Sequence, residues 1–292
     1  MKVCVTSYSF HRLLKSGELN QLTAMRKAKE MGFDAMEFSG ILPQDNMSKS
    51  EYAKILRTEA DKLNFPIVSF VFSADLANGT EGRTVEEEVT YVKEMIDIGE
   101  ILGVKSVRHD AISKLGKYKS FDAALPDIAK RISEISEYAK TKGIKTSVEN
   151  HGYICQDPER VERLYNAVES DNFGLLCDIG NFLCADADPE RAVSIVAPYA
   201  IFVHAKDFYI KKGDGANPGG HIMTRGGKYI KATIVGHGDV PIKQCIKSLM
   251  RAGYDGYVSL EFEGMEDNYT ALKMGLDNLR RFISEAKFEL GK

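Results

Sequence analysis

The sequence lacks the features that mark several large classes of protein. It has five cysteines in 292 residues, and no two of them form a C-x-x-C pair. A disulfide framework or a cysteine zinc site is therefore not expected. No window approaches 18 apolar residues, which argues against a membrane-spanning helix. The first residues show no basic run followed by a long apolar stretch, so we expect no signal peptide and a cytoplasmic setting.

The chain also has little net charge. It carries 39 basic and 42 acidic residues, which gives a formal charge of −3. Such a balance does not provide the positive surface with which proteins usually bind duplex nucleic acid. Apolar residues make up 43% and charged residues 28%, as in soluble globular proteins. We therefore expect no nucleic-acid partner, although a local basic patch is still open, and, with no apolar window of spanning length, no membrane partner.

Short β-rich runs alternate along the chain with longer helical patterns. The runs are rich in Val, Ile, Leu and Phe, which is typical of strands buried on both faces of a sheet. The predicted strands are Lys2–Thr6, Ala35–Phe38, Ile67–Phe72, Ser106–His109, Thr146–Glu149, Gly174–Asp178, Ile201–His204 and Val258–Glu261.

The clearest predicted helix is Val85–Leu102, in which apolar residues recur at steps of four and three. Thr84 and Glu87 have the spacing of a capping box at its start. Glycines follow this and several other helical patterns, at positions where a helix end favours a residue with positive φ. The pattern thus gives both the extent of the helix and its two ends.

Eight strands alternating with eight helical patterns predict an α/β fold, a closed (β/α)₈ or TIM barrel, in one domain over residues 1–292. The alternative is an open doubly wound sheet, but Ser7–Phe10 after the first strand lacks the glycines of its usual first turn. Asp207–Asp239 interrupts the alternation. We interpret it as a long loop over the catalytic face, because loops of that length are usually functional or disordered.

The last four strands end in residues that suit a metal. They finish in Glu149, Asp178, His204 and Glu261, and the carboxyl ends of barrel strands carry the active site. Three carboxylates converging there would repel one another without a cation, and a divalent ion with oxygen and nitrogen ligands resolves this. Mn²⁺, Mg²⁺, Co²⁺ and Zn²⁺ all suit the set. The simpler interpretation is that strand ends are polar because solvent begins there.

Several phrases resemble a known family. SVENHG, LLCDIGN, VHAKD, VGHGDVP and DGYVSLEFEG are similar to segments of the xylose isomerase-like TIM-barrel family, which includes sugar isomerases, ketose 3-epimerases and inosose dehydratase. The resemblance implies that Glu149, Asp178, His204 and Glu261 bind one divalent metal ion. It further implies an isomerase or epimerase of a small sugar or keto-sugar derivative. The expected reaction is proton transfer through a metal-stabilised enediolate, with Glu149 and Glu261 as catalytic residues.

Other polar residues are candidates for substrate binding, each with a structural alternative. Lys206 is two residues after His204, so its side chain is expected on the same face of the strand, pointing into the site. It can instead pair with a nearby acid. Only one of the neighbours Arg108 and His109 can face inward, and the sequence does not settle which. His151 can hold a hydroxyl or pack in a loop. The predicted substrate-binding residues are Glu37, His109, His151, Lys206 and Arg225.

The chain departs from the ketose epimerase pattern at two positions. Asn181 stands where that branch has a histidine, and Cys155 stands where it has a glutamate, so substrate preference does not transfer. A dehydratase of an inosose-type polyol is the main alternative, and a non-catalytic carbohydrate-binding barrel is a third. Six histidines are too few for the three-zinc site of the endonuclease IV group. Barrels of this kind often pair, so a homo-oligomer is open, but no interface signature is present.

Overall fold

Eight parallel strands close into a barrel in the computed structural model, which describes residues 1–80 and 82–292. The strand order is that of the chain, so each strand lies between its neighbours in sequence. The TIM barrel predicted from the alternation is therefore confirmed. Its strands are β1 Lys2–Thr6, β2 Ala35–Ser39, β3 Ile67–Phe72, β4 Ser106–His109, β5 Lys145–Glu149, β6 Phe173–Asp178, β7 Ala200–Ala205 and, after three strands outside the barrel, β11 Tyr257–Leu260.

Helices surround the barrel and bury their apolar stripes against it. Two of them, rather than one, follow β1, so the alternation is less strict than the sequence predicts. In the described residues the helices are α1 His11–Ser16, α2 Gln21–Met31, α3 Lys49–Leu63, α4 Val85–Leu102, α5 Phe121–Thr141, α6 Pro158–Ala167, α7 Pro189–Val196, α8 Ile242–Arg251 and α9 Asn268–Glu289. Short 3₁₀ turns lie at Ser7–Phe10, Asn181–Ala185 and Ala197–Tyr199.

The ends of α4 are those that the sequence predicts. The Thr84 hydroxyl accepts a hydrogen bond from the Glu87 N–H, and the Glu87 carboxylate accepts one from the Thr84 N–H, which completes the capping box. Gly103 ends the helix with φ of 74°, a conformation that side chains with a Cβ rarely adopt. The chain then turns directly into β4.

The segment predicted as a long loop contains a small antiparallel sheet. Its strands are β8 Asp207–Lys211, β9 Ile222–Met223 and β10 Tyr229–Thr233, with β10 in the centre. The sequence analysis described this segment as a long loop and did not predict its three short strands. The Tyr153 hydroxyl donates to the Met223 carbonyl at 3.0 Å, which places the sheet beside the connection after β5, at the carboxyl end of the barrel.

The barrel interior has two layers of different chemistry. Near the amino ends of the strands, an apolar plug fills the axis, and above it the interior is lined by charged side chains. The plug is formed by Cys4, Ala35, Leu176 and Phe202, with Val71 at its top, where it meets the charged layer. Because the plug closes the axis below, the charged layer is reached only from the carboxyl ends of the strands. Among the described residues, no helix is long and apolar enough to cross a membrane.

Candidate metal centre and active site

The four strand ends predicted to bind a metal meet in one place. Glu149, Asp178, His204 and Glu261 each offer one ligand atom, and these atoms all lie within 4.8 Å of one another. They come from β5, β6, β7 and the residue directly after β11, which are neighbours in the barrel. In parallel strands the side chains alternate between faces, and these four all point to the axis.

The side-chain amides of two asparagines hold the strand ends and their acids in place. The Asn150 side chain donates to the Asp178 carbonyl and accepts from the Asp178 N–H, both at 2.9 Å, and so joins β5 to β6. The Asn181 amide donates to Glu149 Oε1 at 2.8 Å. These contacts fix the first two acids before any ligand is considered.

His204 is aimed by a carboxylate behind it. Its Nε2 lies 2.7 Å from Glu37 Oε1, and its Nδ1 lies 3.2 Å from Glu261 Oε2. Burial disfavours a charged imidazole, but Glu37 and Glu261 outweigh it and raise the pKa of His204 well above its usual range. Nε2 thus faces Glu37, whereas Nδ1 faces the candidate ligands Glu261 and Glu149.

Asp178 shows that the cluster fits a cation. Its Oδ1 accepts the N–H groups of Gly180 and Asn181 at 2.8 and 2.9 Å. Its Oδ2 is buried and, within the described part of the chain, has no hydrogen-bond partner. Burial, against the nearby Lys206 ammonium and with help from Glu149 and Glu261, raises the pKa of Asp178 to about 7. A buried carboxylate oxygen among other acids is the environment that a divalent ion relieves.

Lys206 is the cation that the cluster itself supplies. Its ammonium lies 3.0 Å from Glu261 Oε2, 2.9 Å from Glu263 Oε1 and 3.4 Å from Asp178 Oδ2. Burial opposes its charge, but the surrounding carboxylates prevail and raise the pKa of Lys206. The ammonium is therefore charged and lies against two of the four candidate ligands.

A second cation occupies the opposite wall. The Arg108 guanidinium lies 2.7 Å from Glu149 Oε2 and 2.7 Å from Asp110 Oδ1. Asp110 also lies 3.0 Å from Nδ1 of His151, whose side chain is half-exposed. Arg108, Asp110 and His151 thus form a chain of ion pairs and hydrogen bonds that leads from Glu149 to the mouth of the barrel.

Between the two walls lies a cavity of about 210 Å³. Its size suits a small polar molecule, and most of its wall can donate or accept hydrogen bonds. It is lined by Thr6, Tyr8, Ser39, Val71, Ser73, Arg108, Glu149, His151, His204, Lys206, Glu261 and Glu263.

Residues 25–282 match the family described as the xylose isomerase-like TIM barrel. The chain belongs to this family. The recognition from sequence motifs is thereby confirmed. Membership establishes the barrel and the general type of protein, but it does not establish the reaction of this member.

Individual relatives of this family member are distant. An inosose dehydratase of Clostridium perfringens is 22% identical over 240 residues, which cover 80% of this chain and 78% of that protein. The structure of an L-ribulose 3-epimerase has a TM-score of 0.75 at 14% identity, covering 99% of this chain and 97% of that one. The structure of an IOLI protein with a bound zinc atom has a TM-score of 0.75 at 17% identity, covering 98% and 99%. At these identities, the two structural likenesses show the fold.

The structure separates the predicted substrate-binding residues of this family member into two groups. His151 and Lys206 line the cavity, whereas Glu37 lies fully buried behind His204. The Arg225 guanidinium bonds Asp157 and the backbone carbonyl of Tyr153. Arg225 therefore fastens the sheet of β8 to β10 to the connection after β5, and it is not in the cavity wall that the structure describes.

His109 lies on the other side of its strand. It is fully buried against Phe72 outside the barrel axis, and Arg108 takes the inward place. The reason lies in the register: Arg108 pairs with Ser147, which shares its face with Glu149. His109, the neighbour predicted to bind substrate, is therefore the outward one, because the register that decides between the two is a property of the paired strands.

Sequence reasoning also missed residues at the mouth. Glu263 and Tyr8 line the cavity, and Asp110 links Arg108 to His151. A signal for Glu263 was present, because it has the same parity as Glu261. Tyr8 and Asp110 lie in connections after strands, where strand parity gives no guidance.

Proposed function

We propose that this chain is a divalent-metal-dependent isomerase or epimerase of a small sugar or keto-sugar derivative. The observation that carries the proposal is the convergence of three carboxylates and one imidazole nitrogen on the floor of a polar cavity. Such a set suits a hard or borderline divalent ion. The cavity volume of about 210 Å³ suits a single sugar ring or a short polyol.

The metal would be held by Glu149, Asp178, Glu261 and Nδ1 of His204. A divalent ion in that place would polarise the carbonyl and hydroxyl oxygens of the substrate, which makes the carbon-bound hydrogen between them more acidic. The ligand set suits Mn²⁺, Mg²⁺, Co²⁺ and Zn²⁺ alike, because oxygen-rich sites accept several ions.

Glu149 and Glu261 are the proposed acid–base residues. Both face the cavity from opposite ends of the ligand cluster, beside Arg108 and Lys206 respectively. One carboxylate takes the proton from the carbon beside the carbonyl, and an acid on the other side returns a proton. Return to the opposite face of the same carbon gives an epimer, and return to the neighbouring carbon gives an aldose–ketose isomer.

Lys206, Arg108 and His151 are the proposed substrate contacts. The Lys206 ammonium has a fixed place among three acids and can donate to a substrate oxygen that gains negative charge during proton removal. The Arg108 guanidinium lines the cavity beside Glu149 and can donate to a substrate oxygen there. His151, held by Asp110 at the mouth, can bind a hydroxyl group further from the metal.

A dehydratase acting on an inosose-type polyol is the second candidate. It is favoured by the inosose dehydratase of Clostridium perfringens, which this chain matches over 78% of that protein's length. It is also favoured by Asn181, whose amide bonds Glu149 where the epimerase branch has a substrate-binding histidine. The first proton removal is the same. The hydroxyl on the next carbon then leaves as water, with a proton supplied by the acid on the other side of the cavity.

Incubation of the metal-supplied protein with ketopentoses, ketohexoses and inososes in D₂O tests both candidates. Solvent deuterium in a recovered or isomerised sugar, seen by proton NMR, supports the isomerase or epimerase. Loss of water with a new ultraviolet absorbance supports the dehydratase. Binding without deuterium exchange or product across the whole panel would contradict both and favour a carbohydrate-binding barrel. Glu149→Gln protein is the matched control, since it should show neither exchange nor product.

A further inference from the structure

Glu37 occupies a place that a substrate cannot reach. It lies between Ala35 and Ser39, the other two inward residues of β2, and its side chain is fully buried. Two strands, β1 and β11, lie between β2 and β7 in the barrel. Glu37 therefore reaches across the interior to bond His204, with Oε1 2.7 Å from Nε2.

This contact decides which nitrogen of His204 is available. Both ring nitrogens face carboxylates, but Nε2 lies closer to Glu37, at 2.7 Å, than Nδ1 lies to Glu261, at 3.2 Å. A His204 ring that gives up one proton to make room for a cation therefore keeps the proton on Nε2. A neutral imidazole with its proton on Nε2 has its lone pair on Nδ1. That nitrogen lies 3.2 Å from Glu261 Oε2 and 4.0 Å from Glu149 Oε1, where the ligand atoms converge.

Glu37 has no other strong partner to explain its burial. Its second contact is Ser259 Oγ at 3.5 Å from Oε1, and its Oε2 lies buried without a hydrogen-bond partner in the described structure. A buried carboxylate so poorly satisfied costs stability. A role in orienting a metal ligand explains why such a destabilising carboxylate is present at this position.

We propose that Glu37 is a positioning residue that holds His204 in the tautomer and ring orientation in which Nδ1 ligates the divalent ion. The inference rests on the metal site of the proposed function. Carboxylates that accept the second N–H of a metal-bound histidine typically change metal affinity by 10–100-fold when they are removed. The substrate role expected for Glu37 from sequence is replaced by this one.

The test measures metal binding rather than turnover. Mn²⁺ is titrated into metal-free protein, and free Mn²⁺ is followed by electron paramagnetic resonance. Glu37→Leu should raise the Mn²⁺ dissociation constant about 10–100-fold. Glu37→Gln should lose less, because its neutral amide oxygen still accepts a hydrogen bond but a weaker one. Ser69→Ala is the matched control: Ser69 is buried, pairs with Glu37 on the next strand and should bind Mn²⁺ like the wild type.

Nitrogen-15 NMR of the histidines in zinc-loaded wild-type protein gives a second readout that needs no variant. We expect the remaining proton of His204 on Nε2. A proton on Nδ1, or Mn²⁺ affinity of Glu37→Leu within twofold of the wild type, would overturn the inference while leaving the metal site intact. A wild-type protein that binds no Mn²⁺ would instead overturn the metal site of the proposed function, and this inference with it.

Discussion

The two faces of the same barrel strands have opposite chemistry at their carboxyl ends. Glu149 and Arg108 point inward to the charged cluster, whereas their neighbours Val148 and His109 point outward and are buried against the helices. The outward layer is almost wholly apolar and stabilises the fold by burial. The inward layer gathers like charges that oppose folding unless cations balance them. Of two adjacent residues on a strand, the outward one therefore stabilises the fold and the inward one belongs to the charged cluster.

A pair of substitutions at neighbouring positions tests this division most strongly. Glu149→Gln should lower turnover by about a thousandfold, because it removes a proposed acid–base carboxylate. Its unfolding midpoint should stay near that of the wild type, because Arg108 keeps its ion pair with Asp110 and the cluster loses one of its like charges. Val148→Ala should do the reverse: it should cost about 2 kcal/mol of unfolding free energy and leave turnover within twofold. Turnover on the substrate found in the sugar panel and urea denaturation measure the two effects. An active Glu149→Gln protein would break the comparison.

Buried and exposed ion pairs should differ in the same way. Arg108 is buried and pairs with both Asp110 and Glu149, so Arg108→Met leaves the buried Glu149 without this cation and should cost about 3 kcal/mol. The exposed pair of Lys273 and Asp277 on α9 is the control, since Lys273→Met should cost at most about 0.5 kcal/mol. Urea denaturation at neutral pH measures both. Equal losses of unfolding free energy in the two variants would show that burial does not determine how much each ion pair stabilises the fold.

His109 should make the outer layer sensitive to acid. Burial lowers its pKa to about 4, against an ordinary value of 6.5. Between those values the unfolded chain binds a proton that the folded chain does not, so stability is lost as the pH falls from about 6.5 to about 4. From pH 7.5 to pH 5 this contribution amounts to about 2 kcal/mol.

The matched variant is His109→Phe, which keeps a ring of similar size and does not titrate. Its unfolding free energy should fall by about 2 kcal/mol less than that of the wild type between pH 7.5 and pH 5. Its turnover should change less than twofold, because His109 faces away from the cavity. The same acid dependence in both proteins would assign the effect to other groups.

Sequence patterns were sufficient for the features that depend on local periodicity. The bounds of α4 and of the strands β1, β3 and β4 were predicted to the residue, because caps and apolar runs depend only on residues close in sequence. The barrel followed from the alternation. The meeting of Glu149, Asp178, His204 and Glu261 was expected because parallel strands share one carboxyl edge. Their role in binding a metal stays a prediction.

The rest depended on contacts between distant segments. The choice of Arg108 over His109 is made by pairing with β5, which the sequence of β4 does not contain. Glu37 was expected at the substrate, but the barrel closes so that its carboxylate meets His204, 167 residues away. The sheet of β8 to β10 was hidden because two of its strands pair across a glycine-rich turn segment.

The central claim is that the four inward strand ends hold one divalent ion. Elemental mass spectrometry of the purified protein, after exposure to Mn²⁺ and Co²⁺ and removal of free ions, measures it directly. The account predicts about one ion per chain in the wild type and a large loss in Glu261→Ala, which removes one ligand of the cluster. Wild-type protein without a bound ion, or Glu261→Ala protein that retains a full equivalent, would contradict it.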